Sequence, residues 1–182
     1  MELKGSKKKA IFQWTLRIFL TVACVGMLGF IFSNSLKTGE KSAKQSSVMV
    51  EVVQEVVSVI APNSSIANAT GEAYDRLHTW VRALAHFAEF AFFGTLLTWC
   101  VLSYTWKKEA LWLSLVGVCA VPFVDETLQF FVADRGAEFH DVCVDAAGGI
   151  CGMLFAVVIL LIVFSIYARR REKIRRRVEK IQ

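Results

Sequence analysis

Residues 146–168 read AAGGICGMLFAVVILLIVFSIYA and contain no charged side chain. A helix needs about 20 mostly apolar residues to cross the hydrocarbon core of a bilayer. Three further stretches reach this length, at residues 11–32, 84–104 and 110–132. The sequence therefore predicts an all-α integral membrane protein, a bundle of four transmembrane helices. An alternative interpretation of the first stretch is a cleaved signal peptide, since basic residues precede it, although its apolar run is longer than such peptides usually have.

The composition agrees with a membrane protein. Of the 182 residues, 55% are hydrophobic and 20% are charged, whereas a soluble domain carries about 45–50% apolar and about a quarter charged residues. Fourteen Phe and five Trp against two Pro exclude a disordered chain. We expect a single domain over residues 1–182, with a basic N-terminus at 1–10, the four-span bundle at 11–168 and a basic tail at 169–182.

The distribution of charge predicts the orientation in the membrane. The net charge of +5 is compatible with nucleic-acid binding, but the basic residues concentrate in three segments, 1–10, 105–109 and 169–182. These segments hold fourteen basic and four acidic residues, a balance of +10, and the remainder carries −5. Because short cytoplasmic segments are enriched in Lys and Arg, we predict a multi-pass plasma-membrane protein with both termini in the cytoplasm and loops 33–83 and 133–145 outside. The basic tail then contacts lipid headgroups, and no nucleic-acid partner is expected.

The first outer loop contains a second kind of pattern. Residues 48–60 read VMVEVVQEVVSVI, with apolar side chains at helical spacing and Glu51 and Glu55 on the opposite face. Thirteen residues are too few to span a bilayer. The pattern favours an amphipathic helix that lies on the outer interface or over the mouth of the bundle, where it acts as a packing element or as a lid. A strand is the alternative, because the run is rich in β-branched valine.

Polar side chains within the predicted spans all lie near one end of the bundle. On the second span, Arg82, His86 and Glu89 are separated by four and three residues, so the three side chains share one helix face. The other spans and the second outer loop bring further polar residues to the same predicted depth. They are Ser33 at the end of the first span, Asp125, Glu126 and Gln129 on the third, Arg135 in the loop, and Asp141 and Asp145 at the start of the fourth.

A buried unpaired charge costs several kcal/mol in hydrocarbon, so these residues are expected to face the bundle interior and to pair with one another. One interpretation is a purely structural network of ion pairs. The other is a binding or reaction site, because two or three pairs would suffice for packing. On the second interpretation, the candidate catalytic residues are His86, Glu89, Asp125, Glu126 and Asp141, and the candidate ligand-binding residues are Arg82, Gln129, Arg135, Asp145 and Ser33.

Three glycines follow the last of these carboxylates. Gly148, Gly149 and Gly152 lie three, four and seven residues after Asp145. They form a smooth helix face that lets another helix approach closely. We therefore expect the fourth span to pack tightly and to hold Asp145 near groups of the second and third spans.

The motifs on the last three spans resemble those of the VanZ-like family. They are R-x-x-x-H-F-x-E-F at 82–90, D-E-x-x-Q-x-F at 125–131, and Arg135 followed by D-x-x-x-D-x-x-G-x-x-x-G from 141. The resemblance extends from about residue 32 to 152. It implies a small multi-span protein of the cell envelope and, in some members, reduced susceptibility to teicoplanin-type lipoglycopeptide antibiotics.

Two positions depart from the pattern of the VanZ-like family. The family often has Lys where this chain has Ala83, and it commonly has Asn where this chain has Asp145. Both departures make the site of this chain more acidic.

Three functions fit these observations. The first is binding or handling of a membrane lipid or cell-wall precursor at the outer leaflet, with Arg82 and Arg135 on phosphate oxygens. The second is an intramembrane hydrolase or transferase that uses His86 as general base or acid. The third is a non-catalytic partner of an envelope complex.

No cofactor is required by the pattern, but a divalent metal is an option. His86, Glu89, Asp125 and Asp145 are its candidate ligands, and His86 and Glu89 project from one helix face. Oxygen ligands favour Mg²⁺ or Mn²⁺, and the histidine also suits Zn²⁺.

Overall fold

The computed structural model describes residues 2–179, so Met1 and residues 180–182, including Lys180 of the predicted basic tail, lie outside the described residues. Over residues 2–179 the chain forms helices and no strand. The prediction of an all-α fold is therefore confirmed. The five helices are α1 (Glu2–Ser35), α2 (Gly39–Ile60), α3 (Glu72–Tyr104), α4 (Lys108–Gln129) and α5 (Phe139–Glu179).

Four of these helices contain segments that are long and apolar enough to cross a membrane. The segments are Lys7–Ser35, Glu72–Tyr104, Glu109–Gln129 and Phe139–Arg177. The four predicted spans are thus confirmed. α1, α3 and α5 are longer than the predicted apolar runs because a helix continues through polar residues, which a count of apolar side chains does not register. α4 instead ends at Gln129, three residues before the predicted end of its span.

The chain direction alternates through α1, α3, α4 and α5. α1 and α4 therefore end at the same side of the bundle at which α3 and α5 begin. We call this side the polar end, because it carries the cluster of ionisable side chains, and the opposite side the basic end. The 130–138 loop joins α4 to α5 at the polar end.

Glycines bring α3 and α5 into backbone contact. A Cβ on Gly148 would lie 2.4 Å from the carbonyl oxygen of Phe87, and a Cβ on Gly152 would lie 1.8 Å from that of Ala91. Thr95 also donates a hydrogen bond to the carbonyl oxygen of Gly152, at 3.1 Å. Because no side chain larger than hydrogen fits at these glycines, the expected close packing of the last span is confirmed.

α1 packs against α3 along an apolar seam. Cys24 and Ile31 of α1 form a buried cluster with Phe90 and Phe93 of α3. Nearer the basic end, the guanidinium of Arg17 donates a hydrogen bond to the carbonyl oxygen of Ser103 at 2.8 Å. The single charge inside the first span is thereby bonded to a helix C-terminus, where a cation is electrostatically favoured.

The rings of two aromatic residues flank the same guanidinium. Its central carbon lies 5.3 Å from the ring centroid of Trp14 and 5.2 Å from that of Tyr104. Cation–π attraction acts at such distances. Arg17 therefore links α1 to α3 by a hydrogen bond and by its contact with an aromatic side chain of each helix.

α2 is the amphipathic element predicted at 48–60, and it is a helix and not a strand. It begins at Gly39, nine residues earlier than the predicted run. Val50 is buried, whereas Met49, Val52 and Val56 are exposed. The side chain of Gln54 donates hydrogen bonds to the carbonyl oxygens of Ile66 and Ala69, at 3.2 and 3.1 Å, which hold α2 against the 61–71 connection to α3.

Candidate functional site

Asp125 lies at the centre of the polar end. Its side chain is 0% exposed, and both carboxylate oxygens accept hydrogen bonds. The hydroxyl of Ser35 donates to Oδ1, and the amide of Gln129, one turn further along α4, donates to Oδ2 at 3.1 Å. α1 and α4 together therefore fix the orientation of this carboxylate.

A second buried carboxylate lies on α5, opposite α3. Asp145 is 2% exposed, and its Oδ2 lies 3.8 Å from Nδ1 of His86. Its other oxygen, Oδ1, is buried and has no hydrogen-bond partner among the described residues. One nitrogen of His86 and one oxygen each of Asp125 and Asp145 all lie within 4.8 Å of one another. Three helices thus bring three potential metal ligands together.

Glu126 connects α4 to the 130–138 loop. Its Oε1 accepts a hydrogen bond from the backbone N–H of Glu138 at 2.6 Å, while its Oε2 is buried and has no partner within residues 2–179. Glu126 is 4% exposed. The carboxylate therefore holds the loop that carries Arg135 close to the bundle.

The two arginines of the site do not pair with its carboxylates. The part of the chain that the structure describes shows no ion pair within 4.0 Å for Arg82 or Arg135. Arg135 donates one hydrogen bond, from Nη1 to the carbonyl oxygen of Ser35 at 3.4 Å, and its buried Nε has no partner in that same part of the chain. The expectation that these arginines are neutralised by direct ion pairs is therefore wrong.

The electrostatic environment of Arg135 reflects this arrangement. Burial lowers the pKa of its guanidinium, and the positive charge of Arg82 lowers the pKa further, whereas Asp125 raises it. An arginine nevertheless remains protonated at neutral pH. Two like charges are thus held near each other at the polar end.

A cavity of about 420 Å³ opens between α3, the start of α5 and the 130–138 loop. A smaller cavity of about 100 Å³ lies on the α2 side, and Arg82, His86 and Arg135 line both. The larger cavity is also lined by Asp141 and Asp145. The two guanidinium groups and the imidazole therefore form the wall that the cavities share.

The remaining candidates lie at different places. Glu89 accepts a hydrogen bond from the amide of Asn34 at 3.2 Å, and Gln129 is 2% exposed and bonded to Asp125. Neither is among the residues that line the two cavities. Asp141 is half-buried in the cavity wall, with Oδ1 3.4 Å from Nδ1 of His140.

Ser33 does not join the cluster. Its side chain is exposed, and its hydroxyl donates to the carbonyl oxygen of Phe30 in its own helix at 2.8 Å. Ser35, two residues later, faces the bundle interior and bonds Asp125. Two residues correspond to about 200° around a helix, which explains why the two serines face opposite directions.

Several residues of the site were not singled out from the sequence. Lys37 donates a hydrogen bond from Nζ to the amide oxygen of Asn34 at 2.8 Å, and His78 lines the larger cavity. The spacing of His78 to Arg82, one helical turn, is a signal that could have identified the histidine. No comparable spacing identifies Lys37, because it follows the end of α1.

A known family model matches most of the chain, including parts of all four spanning helices. The family model described as VanZ/LLP1 matches residues 19–164, which include every motif of the polar end. Neither the curated proteins nor the solved structures provide a match. The resemblance inferred from the motifs is confirmed, and the match covers well over half of the chain. This membrane protein therefore belongs to the VanZ/LLP1 family.

Proposed function

We propose that the protein binds the phosphate-bearing headgroup of an envelope lipid or lipid-linked cell-wall precursor at the outer leaflet. The observation that carries this proposal is the state of Arg82 and Arg135, which line the cavity and form no ion pair within 4.0 Å in residues 2–179. Two half-buried guanidinium groups without a direct ion-pair partner present N–H donors whose hydrogen bonds an anion can accept. A phosphate group compensates both charges and accepts bidentate hydrogen bonds from each.

The dimensions of the cavity agree with a headgroup ligand. Its volume of about 420 Å³ lies within the range of small-molecule sites, about 300–1,000 Å³. A headgroup fits this space, and acyl or prenyl chains then lie along the exposed apolar surface of the bundle. Asp141, His78 and Thr79 line the same cavity and offer hydrogen bonds to sugar hydroxyls or to amines.

The orientation is part of the proposal. The charge balance of +10 in the terminal and turn segments supports cytoplasmic termini in a plasma membrane. The polar end, and with it the cavity, then faces the outer leaflet. Lipophilic antibiotics reach the cell from this side, so altered handling of a surface lipid provides a route to lower lipoglycopeptide susceptibility.

The direct test is recovery of phosphorus-containing lipid with the purified protein. We expect Arg135→Ala to retain at least tenfold less of the specifically bound lipid, because a hydrogen bond to a charged group contributes about 1.5–3 kcal/mol. Arg76→Ala is the matched control. Arg76 lies on α3 outside the residues that line the two cavities, and its side chain is 69% exposed in a pair with Glu72. Equal lipid recovery with both variants and the wild type would contradict the proposal.

A second candidate function is hydrolysis or group transfer on the bound headgroup. The observation in its favour is the His86–Asp145 pair, 3.8 Å apart in the wall of the cavity. The two side chains are not hydrogen-bonded at this distance, but a movement of about 1 Å would let the carboxylate orient the imidazole for general acid–base catalysis. Comparative lipid and precursor profiling of cells with the wild type, with His86→Ala and without the protein distinguishes the two functions. Catalysis predicts that His86→Ala accumulates the same species as the deletion while it still binds lipid.

A further inference from the structure

We propose that His86, Asp125 and Asp145 bind one divalent transition-metal ion at the polar end of the bundle. This site is distinct from the arginine contacts of the proposed headgroup and does not depend on them. It takes one ligand from each of α3, α4 and α5. The ion therefore joins three of the four spanning helices.

The separations of the three side chains suit a shared ion. The candidate ligand atoms lie within 4.8 Å of one another, and Nδ1 of His86 lies 3.8 Å from Oδ2 of Asp145. Nitrogen and oxygen ligands about 2.1 Å from a tetrahedral metal are about 3.4 Å from each other. Small movements of the side chains bring the three ligands to metal-binding distances without a change of the backbone.

The unpartnered oxygen of Asp145 points to a ligand independently of these distances. Asp145 is 2% exposed, and its Oδ1 is buried without a hydrogen-bond donor in the described part of the chain. No Lys or Arg of that part lies within 4.0 Å of this carboxylate. A buried acceptor without a partner is costly. A metal ion provides both the missing partner and the missing positive charge.

Asp125 is held as metal-binding carboxylates commonly are. Ser35 and Gln129 donate hydrogen bonds to its two oxygens, and such outer contacts orient ligands and tune a metal site. Each carboxylate oxygen has a second lone pair for the ion. Glu89, the fourth ligand considered from the sequence, is bonded to Asn34 and is not one of the three clustered residues.

The donor set indicates which ions bind. One imidazole and two carboxylates suit Zn²⁺ and Mn²⁺, and a nitrogen ligand disfavours Mg²⁺ and Ca²⁺. Since His86 and Asp145 also line the larger cavity, the ion is accessible to a molecule bound there. Three protein ligands leave at least one coordination position for that molecule or for water.

The test is a metal titration of the full-length protein in detergent after removal of bound ions with a chelator. We expect about one equivalent of Zn²⁺ or Mn²⁺ per chain to bind in the wild type. Cobalt(II) provides a second readout, since nitrogen and oxygen coordination by the protein changes its visible absorption spectrum. Asp145→Asn and His86→Gln are expected to weaken binding by at least tenfold, because even outer-shell changes at metal sites cost about 10–100-fold.

Glu55→Gln is the control, since it removes an exposed carboxylate of α2. Its affinity and stoichiometry should equal those of the wild type. Substoichiometric binding in the wild type overturns the proposal by itself, whether or not the variants fold. The same affinity in wild type, Asp145→Asn and His86→Gln also overturns it, as this result would place the ion elsewhere. Lipid recovery measured on the same samples reports separately on the headgroup proposal.

Discussion

The contact between α3 and α5 determines the geometry of the site, and Gly152→Ala tests this dependence. The added Cβ would lie 1.8 Å from the carbonyl oxygen of Ala91, whereas 3.4–4 Å is an ordinary contact. The two helices must therefore separate by about 1.6 Å at this point. Backbone atoms provide the obstacle, so a change of rotamer cannot relieve it.

The separation has two consequences. The first is a loss of stability. Overpacking of this kind costs about 1–3 kcal/mol, and the hydrogen bond from Thr95 to the carbonyl oxygen of Gly152 lengthens beyond 3.1 Å. The second is a change at the site, because Asp145 lies only two turns before Gly152, about 10 Å along the axis of α5. If the helices part uniformly, the distance between His86 and Asp145 grows from 3.8 Å to about 5 Å.

Unfolding in mixed micelles, followed by tryptophan fluorescence, measures the loss of stability. The cobalt(II) titration described above measures the change at the His86–Asp145 pair. Gly26→Ala is the matched control, because Gly26 lies in the span of α1 and a Cβ there meets nothing within 4 Å. This control should be neutral or more stable by about 0.5–1 kcal/mol, the difference in helix propensity. Equal stability and equal cobalt(II) affinity in the two variants would show that the α3–α5 contact does not control the geometry of the site.

Two further predictions concern single polar contacts. Ser35→Ala should destabilise the protein by about 1–3 kcal/mol, since it removes the hydroxyl that donates to buried Asp125. Ser33→Ala is the control and should have no measurable effect. Unfolding of the two variants in detergent compares them, and equal losses of stability would contradict the role of the Ser35–Asp125 bond. Arg17→Gln should lower the unfolding free energy by about 1–2 kcal/mol, because it weakens the bond to the carbonyl oxygen of Ser103 and removes the charge between two aromatic rings. A wild-type unfolding curve for Arg17→Gln would show that this contact does not stabilise the α1–α3 interface.

The four spans could be predicted from the sequence because the length of an apolar run is a direct requirement of the bilayer. Their ends could not, since helices α3 and α5 begin at Glu72 and Phe139, within segments of mixed polarity. Backbone hydrogen bonding continues there although the apolar pattern has stopped. The same reason explains why α2 begins at Gly39 and not at residue 48.

The composition of the site was also predictable, whereas its contacts were not. Charge burial is expensive in a membrane, which places His86, Asp125 and Asp145 in the interior. The rotation of α1 about its axis is not determined by its sequence, since apolar side chains surround most of the helix. Ser33 and Ser35 were therefore indistinguishable before the structure placed Ser35 on Asp125.

The arginines illustrate a second limit of sequence reasoning. Opposite charges at one depth predicted ion pairs, but Arg82 and Arg135 form none within 4.0 Å in residues 2–179. Pairing depends on the path of the 130–138 loop and on competing bonds, such as that from Glu138 to Glu126. The path of the loop and the competing hydrogen bonds are set by tertiary structure, which cannot be read from residue types and their spacing along the chain.

The proposed function requires Arg82 and Arg135 to recognise phosphate on a lipid headgroup. The most direct measurement is a binding titration of purified protein with a short-chain phosphatidylglycerol and with the matching diacylglycerol, which lacks the phosphate. We expect the wild type to bind the phosphate lipid at least tenfold more tightly, a difference of about 1.4 kcal/mol or more, and the Arg82→Ala/Arg135→Ala double variant to lose that preference. Equal affinity of the wild type for both lipids, or an unchanged preference in the double variant, would contradict phosphate recognition by the two arginines.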